Sequence, residues 1–423
     1  MNKRKGSILL ATMLAGSCLF GGCGKAEPSE KYQYGFDQLA GPFWRTDTIY
    51  NESVLLTQQE NGEICGNLAF TPEKIISIRD YTLENEFVRG EDWEYRDGAL
   101  YALPGSEMPF FTQAQMAGEG VADNSAIKDC REEAEEPYSI LFTSAMTLFL
   151  HQVFVTYEYV PEEMADFPVQ EYAGDKLPAL QESIEGGYDL TILVLGDSIS
   201  GGGQSSSGAN LEPYCPNWVD IYGTAVQNEI NRRNGTNCIV TVYNKSVGGM
   251  SSAHDIDLAY SPDGKSTWAE YYTRMYNPDL VIIAHGMNDG TWYVPEEEFK
   301  ENLSTIMRQC QSQSSKELDF IIVGCMRPND NGAGWRGSAG RDGKFPEGYL
   351  GTPCFNLQST YLDCMKELEE ENSHVVYVEM WEKHTRLLQN KKYEDMTVNN
   401  LNHPNDFIIR LYAMSMIDVT LPR

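Results

Sequence analysis

The sequence predicts an α/β protein in which helices cover both faces of a parallel sheet, preceded by an antiparallel β-rich region. Two observations carry this. From Thr191 onward, short apolar runs alternate with helix-period stretches, the pattern of strands joined by helical crossovers. Before Pro161, short β-rich runs recur between turn signals such as Glu60-Asn61-Gly62 and Arg96-Asp97-Gly98, and no helix-period stretch of useful length interrupts them.

Taken in order, the chain begins with Lys3-Arg4-Lys5 and an apolar run from Ile8 to Phe20, too short to span a bilayer and laid out as a secretory signal. It ends in Gly21-Gly22-Cys23-Gly24. Small residues before a cysteine resemble the bacterial lipoprotein cleavage box, in which the cysteine is lipidated and becomes the mature N-terminus. Phe20 stands where that box usually has leucine, and Cys18 is an alternative. Residues 1–23 therefore read as a lipoprotein signal peptide with Cys23 as the lipidation site, and 24–34 as a tether. The expected location is extracytoplasmic, lipid-anchored to the cell membrane, with secretion as the alternative.

Runs at 53–57, 67–70, 74–79, 91–95, 100–103, 138–142 and 152–159 predict a β-sandwich domain over 35–165. An acidic, loop-like linker follows over 166–188, with a short helix at 177–184. The second domain, 189–423, has strands predicted at 191–195, 239–243, 280–284, 320–324 and 375–378. Helices are predicted at 218–233, 296–312, 357–370 and 404–416.

The formal charge of −30 argues against nucleic acid and anionic headgroups as partners, and leaves neutral polymers or small molecules. Eight cysteines beyond position 23 are scattered without metal-type pairing, so no disulfide connectivity is legible. Cys325, ending an apolar strand, reads as a buried thiol.

Four short blocks carry chemistry. Thr191-Ile192-Leu193-Val194-Leu195 runs into Gly196-Asp197-Ser198, placing a serine at the carboxyl end of a buried strand, where open α/β sheets hold their sites. Asn244-Lys245-Ser246-Val247-Gly248-Gly249 follows the second strand, and Gly286-Met287-Asn288-Asp289 follows the third. An asparagine amide there is a donor suited to a developing oxyanion, with Asp289 free to pin the loop. Asn400-Leu401-Asn402-His403-Pro404 precedes the last helix. Each block alone is compatible with a simple turn.

Together, and in this order, the blocks resemble the SGNH hydrolases, the GDSL family of esterases and lipases. The resemblance covers the chain from about Leu190 onward and implies a flavodoxin-like, three-layer α/β/α domain. It implies Ser198 as nucleophile and His403 as general base and then acid. It places an oxyanion hole at the Ser198 amide, the Gly249 amide and the Asn288 side chain, with no metal or cofactor. One position departs from the pattern: three residues before the histidine, where the family usually has aspartate, stands Asn400. That asparagine, Asp395 or no acid at all remain open as the partner that orients His403. His285 and His254, beside the third and second blocks, read as structural.

A β-sandwich (jelly-roll-like) ahead of such a domain looks like the two-domain carbohydrate acetyl esterases. The implied activity is hydrolysis of O-acyl esters, acetyl first, on a poly- or oligosaccharide. Tyr214, Trp218 and Trp292 are candidate sugar platforms. Alternatives are an acyltransferase acting on glycans and a carbohydrate-binding lipoprotein that has lost catalysis.

Overall fold

The computed structural model describes residues 31–121, 127–128, 139–143, 145–329 and 357–422. Cys23, the signal residues and the tether up to residue 30 lie outside the described residues. Tyr32 to Arg423 make up one compact unit.

The N-terminal part opens with α1 (Phe36–Ala40), then β1 (Thr48–Leu55), β2 (Thr57–Gln58), β3 (Ile64–Gly66), β4 (Pro72–Arg79), β5 (Trp93–Arg96) and β6 (Ala99–Ala102). A single-turn α2 (Gln113–Met116), β7 (Ile127–Lys128), β8 (Ser139–Ile140) and β9 (Gln152–Tyr159) complete it. The β-rich prediction resolves into antiparallel sheets of order β1-β9-β4 and β2-β3-β6-β5, with β7 paired to β8. β9 is flanked on both edges, and almost every residue along it is buried. β4, an edge strand, keeps an exposed face of Glu73, Lys74 and Ile76.

The C-terminal part contains α3 (Pro178–Gly186), β10 (Leu190–Gly196), α4 (Ser198–Gly201), α5 (Trp218–Asn234), β11 (Val240–Asn244), α6 (Ala253–Ile256) and α7 (Trp268–Tyr276). It continues with β12 (Leu280–Ala284), α8 (Met287–Thr291), α9 (Glu296–Gln313), β13 (Asp319–Val323), α10 (Tyr361–Glu371), β14 (Val375–Val378), α11 (Trp381–Leu387) and α12 (Asp406–Thr420). Its five strands are parallel throughout, in the order β11-β10-β12-β13-β14. The five predicted strands are all present, within a residue or two. β10 lies inside the sheet, pairing Leu193 with both Tyr243 and Val281, which is why its run is aliphatic rather than alternating. The last helix starts two residues later than predicted, because Pro404 lies in a bridge to Thr397 and Asn405 caps α12 through the Phe407 and Ile408 amides.

The two parts share one hydrophobic core. Ile49, Val54 and Tyr157 from the N-terminal strands pack in the same cluster as Phe407, Ile408 and Leu411 of α12. Arg410, almost fully buried, donates to the carbonyls of Gln38, Tyr50 and Asn51, so α12 is tied by charge-assisted bonds to α1 and β1.

Candidate active site

The serine is positioned by a strand that must stop. A Cβ on Gly196 would come within 2.7 Å of Ser200 Oγ and 2.8 Å of the Ala284 carbonyl oxygen, so only glycine fits where β10 turns into α4. Asp197 caps that turn by accepting the Ile199 amide at 2.9 Å. Ser198 is then the first helical residue, and its amide has no carbonyl of its own helix to bond.

His403 arrives from 205 residues away, with Nε2 2.8 Å from Ser198 Oγ. The segment that carries it is built against the N-terminal strands. Ser53 Oγ donates to the Asp395 carbonyl at 2.6 Å, Gln152 Nε2 to the Glu394 carbonyl at 2.8 Å, and Thr143 Oγ1 to the Val398 carbonyl at 2.8 Å. Burial alone depresses the His403 imidazole, to about 4.

The orienting residue is not the one expected. Asn400 has a left-handed backbone, φ 58°, and its side chain leaves the site: Nδ2 donates to the Leu141 carbonyl at 2.9 Å, and Oδ1 accepts from Asn329 Nδ2 at 2.9 Å. Asp395 is also elsewhere. Its carboxylate accepts the amides of Leu55 and Lys392, both at 2.8 Å. The side chain on His403 Nδ1 is Asn399, with Nδ2 at 2.6 Å. No spacing rule pointed to it, because the contact depends on a turn in which Asn399 Oδ1 collects the amides of Leu401, Asn402 and His403 at 2.9, 3.0 and 3.0 Å.

The second and third blocks flank the serine. The amides of Lys245 and Val247 donate to the Val194 and Gly196 carbonyls, which lays the glycine turn alongside the end of β10. A Cβ on Gly248 would lie 3.7 Å from that of Ser198. Gly249 has φ 77°, where a side chain is strained. Asn288 Nδ2 donates to the Met250 carbonyl at 3.0 Å and lies 3.5 Å from Asp197 Oδ2. Asp289 pins the loop as expected, accepting the amides of Ser252 and Gly286.

Behind this shell lies a buried charge array that single-residue spacing did not suggest. Asp255 accepts from His285 Nε2 at 2.8 Å with one oxygen and lies 2.9 Å from His254 Nδ1 with the other. Burial opposes a charge on His285, but Asp255, by its field and its hydrogen bond, outweighs that, with help from Asp289 and Asp197. The imidazole rises to about 9. Burial pushes Asp197 up to about 6, against the pull of His285.

Beside Gly249 a cavity of about 320 Å³ is lined by Gly249, Met250, Ser251, His254, Tyr260 and Trp292. Trp292 and Tyr260 are both partly open to solvent, whereas Trp218 is fully buried against Tyr412 and belongs to the core. Tyr214 is exposed. Among the described residues, no group of three or more His, Cys, Asp or Glu is placed to hold a metal ion.

A serine at the carboxyl edge of a parallel sheet, hydrogen-bonded to a histidine from the far end of the chain, is the arrangement of a serine acyl hydrolase. The family model for the GDSL-like Lipase/Acylhydrolase family matches residues 194–406, half of the chain, and the chain belongs to that family. No curated protein matches. Among solved structures, LAE5, an α/β hydrolase enzyme from the metagenome of Lake Arreo, Spain, is 16% identical with a TM-score of 0.36, covering 54% of this chain and 94% of that one. A two-domain esterase active on acetylated mannans is 18% identical with a TM-score of 0.37, covering 58% of this chain and 52% of that one. A member of the lipolytic G-D-S-L family from Veillonella parvula is 15% identical with a TM-score of 0.36, covering 54% and 97%.

Proposed function

We propose that this protein is a serine esterase that removes small acyl groups, acetyl first, from a carbohydrate outside the cytoplasm. The observation that carries the reading is the 2.8 Å contact between Ser198 Oγ and His403 Nε2 at the end of β10. In the proposed reaction His403 takes the Ser198 proton and the alkoxide attacks the ester carbonyl. The tetrahedral oxyanion forms against the amides of Ser198 and Gly249 and the Asn288 amide group. His403 then protonates the departing sugar hydroxyl, and water resolves the acyl-enzyme by the same route. The cavity beside Gly249, edged by Trp292 and Tyr260, supports a sugar ring as the leaving group, since aromatic faces pack against the apolar faces of pyranoses.

The extracytoplasmic location rests on residues 1–23, and Cys23 is the proposed lipid attachment point. Cys23→Ser is expected to move the protein out of the membrane fraction. The enzymatic reading is tested by acetate release from 4-nitrophenyl acetate and from acetylated glycans, with Ser198→Ala as control. Serine-independent release, or none on any ester, removes it. A second reading, a carbohydrate-binding lipoprotein without turnover, is favoured by one observation: an amide rather than a carboxylate stands on His403 Nδ1. It requires glycan affinity that Ser198→Ala leaves unchanged.

A further inference from the structure

We infer that Asn399 fixes the tautomer of His403, so that the resting Ser198–His403 hydrogen bond runs from imidazole to hydroxyl, and that a carboxylate at position 399 reverses it. The inference rests on the esterase reading only for its effect on turnover.

Donors and acceptors around Asn399 decide the tautomer of His403. Asn399 Oδ1 accepts three backbone amides, from Leu401, Asn402 and His403, all within 3.0 Å. Exchanging oxygen and nitrogen would turn an NH2 group toward three N–H donors, so the orientation of this amide is determined by its surroundings. The Nδ2 group therefore faces outward, donating one proton to Asn402 Oδ1 at 3.0 Å and the other to His403 Nδ1 at 2.6 Å. An amide nitrogen only donates, so Nδ1 must accept and carry no proton. A neutral imidazole then has its proton on Nε2, 2.8 Å from Ser198 Oγ, and donates it to the hydroxyl. In this state Nε2 has no lone pair for the Ser198 proton.

Turnover needs the other tautomer, with the proton on Nδ1, and so needs Asn399 to withdraw its NH2 group or turn it against three amides. Asn399→Asp keeps the acceptor that holds those amides and replaces the NH2 with a second carboxylate oxygen. Nδ1 then donates to it, Nε2 is left free, and the Ser198 proton moves to Nε2 as the Oγ–acyl bond forms. The same carboxylate stabilises the imidazolium, the contribution that an amide lacks. Asn399 is thus a positioning residue, acting through His403.

The test uses the full chain labelled with 15N-histidine. The sequence has six histidines, and His403→Gln identifies the signal of His403. The expected wild-type spectrum has the His403 proton on Nε2. Asn399→Asp is expected to move it to Nδ1 and to raise kcat on acetyl esters at least tenfold, with KM little changed. A wild-type proton on Nδ1 overturns the inference without reference to any variant, and so does a proton that stays on Nε2 in folded Asn399→Asp. If the proton moves as expected and neither protein releases acetate, the tautomer inference stands and the esterase reading falls.

Discussion

Lys391 Nζ lies 2.8 Å from Glu52 Oε1, and neither side chain has any exposed surface. The pair joins β1 to the segment that ends in His403, so the N-terminal strands are part of the support of the active site. Glu52 also accepts from Tyr157 Oη at 2.6 Å and from the Ala69 amide at 2.8 Å, and Lys391 donates to the Ser53 carbonyl at 2.8 Å. Such a pair contributes modest net stability but is costly to break from one side. Lys391→Met leaves an uncompensated buried carboxylate and is expected to lose about 3–5 kcal/mol in denaturant unfolding. Glu52→Gln combined with Lys391→Met is expected to lose less than Lys391→Met alone. A single variant as stable as wild type contradicts this account.

The Asn288 amide is partly committed, to the Met250 carbonyl at 3.0 Å, while its second proton has only the distant Asp197 at 3.5 Å. If that second proton serves the oxyanion, Asn288→Ala lowers kcat about 10²–10³-fold and leaves KM nearly unchanged. Steady-state kinetics on a soluble acetyl ester separates the two parameters. An unchanged kcat would leave Asn288 with only its structural bond to the glycine turn.

His403 is depressed by burial to about 4, and its direct side-chain partners, Ser198 and Asn399, are uncharged. The base must be neutral, so activity is present above that value and is lost as pH falls through it. The acid limb of kcat/KM is therefore expected near pH 4, well below the ordinary imidazole range. In Asn399→Asp the new carboxylate favours the imidazolium, and the limb is expected to move to higher pH. A wild-type limb near 6.5 would mean that the imidazole is hydrated in solution.

The sheet and the serine were legible in the sequence for one reason: a strand buried on both faces needs an unbroken aliphatic run, and Thr191 to Leu195 supplies it directly before Gly-Asp-Ser. His403 was legible because its block belongs to the family pattern. Its partner was not, because Asn399 and Asn400 are adjacent and chemically identical. Which of them reaches the imidazole depends on the left-handed turn at Asn400 and on Asn329, 71 residues upstream. The helices α7 and α11 were missed for a related reason: each is short, and α7 is rich in tyrosine and tryptophan, whose pattern reads as strand as readily as helix. Trp218 resembled a sugar platform by its distance from Ser198 in the chain, yet the first turn of α5 faces inward and buries it.

The charge array behind the site gives folding stability a pH dependence of its own. His285, at about 9, stands above the imidazole value of an unfolded chain, because Asp255 and the neighbouring aspartates outweigh the cost of burial. The folded state therefore holds a proton that the unfolded state releases near 6.5. The stabilisation is thus complete below that pH and is lost as pH rises through 9. It amounts to roughly 3 kcal/mol. Wild type is expected to lose unfolding free energy between about pH 6.5 and 9.5, and His285→Gln to lack that slope while being less stable at neutral pH. The consequence reaches the chemistry, since Asp255 holds both His285 and the pocket residue His254. Alkaline loss of the His285 proton leaves Asp197, Asp255 and Asp289 without their shared cation next to the turn that carries Ser198. Equal slopes for the two proteins in denaturant titrations across this range would show that His285 is neutral at pH 7 and that the array is held by hydrogen bonds alone.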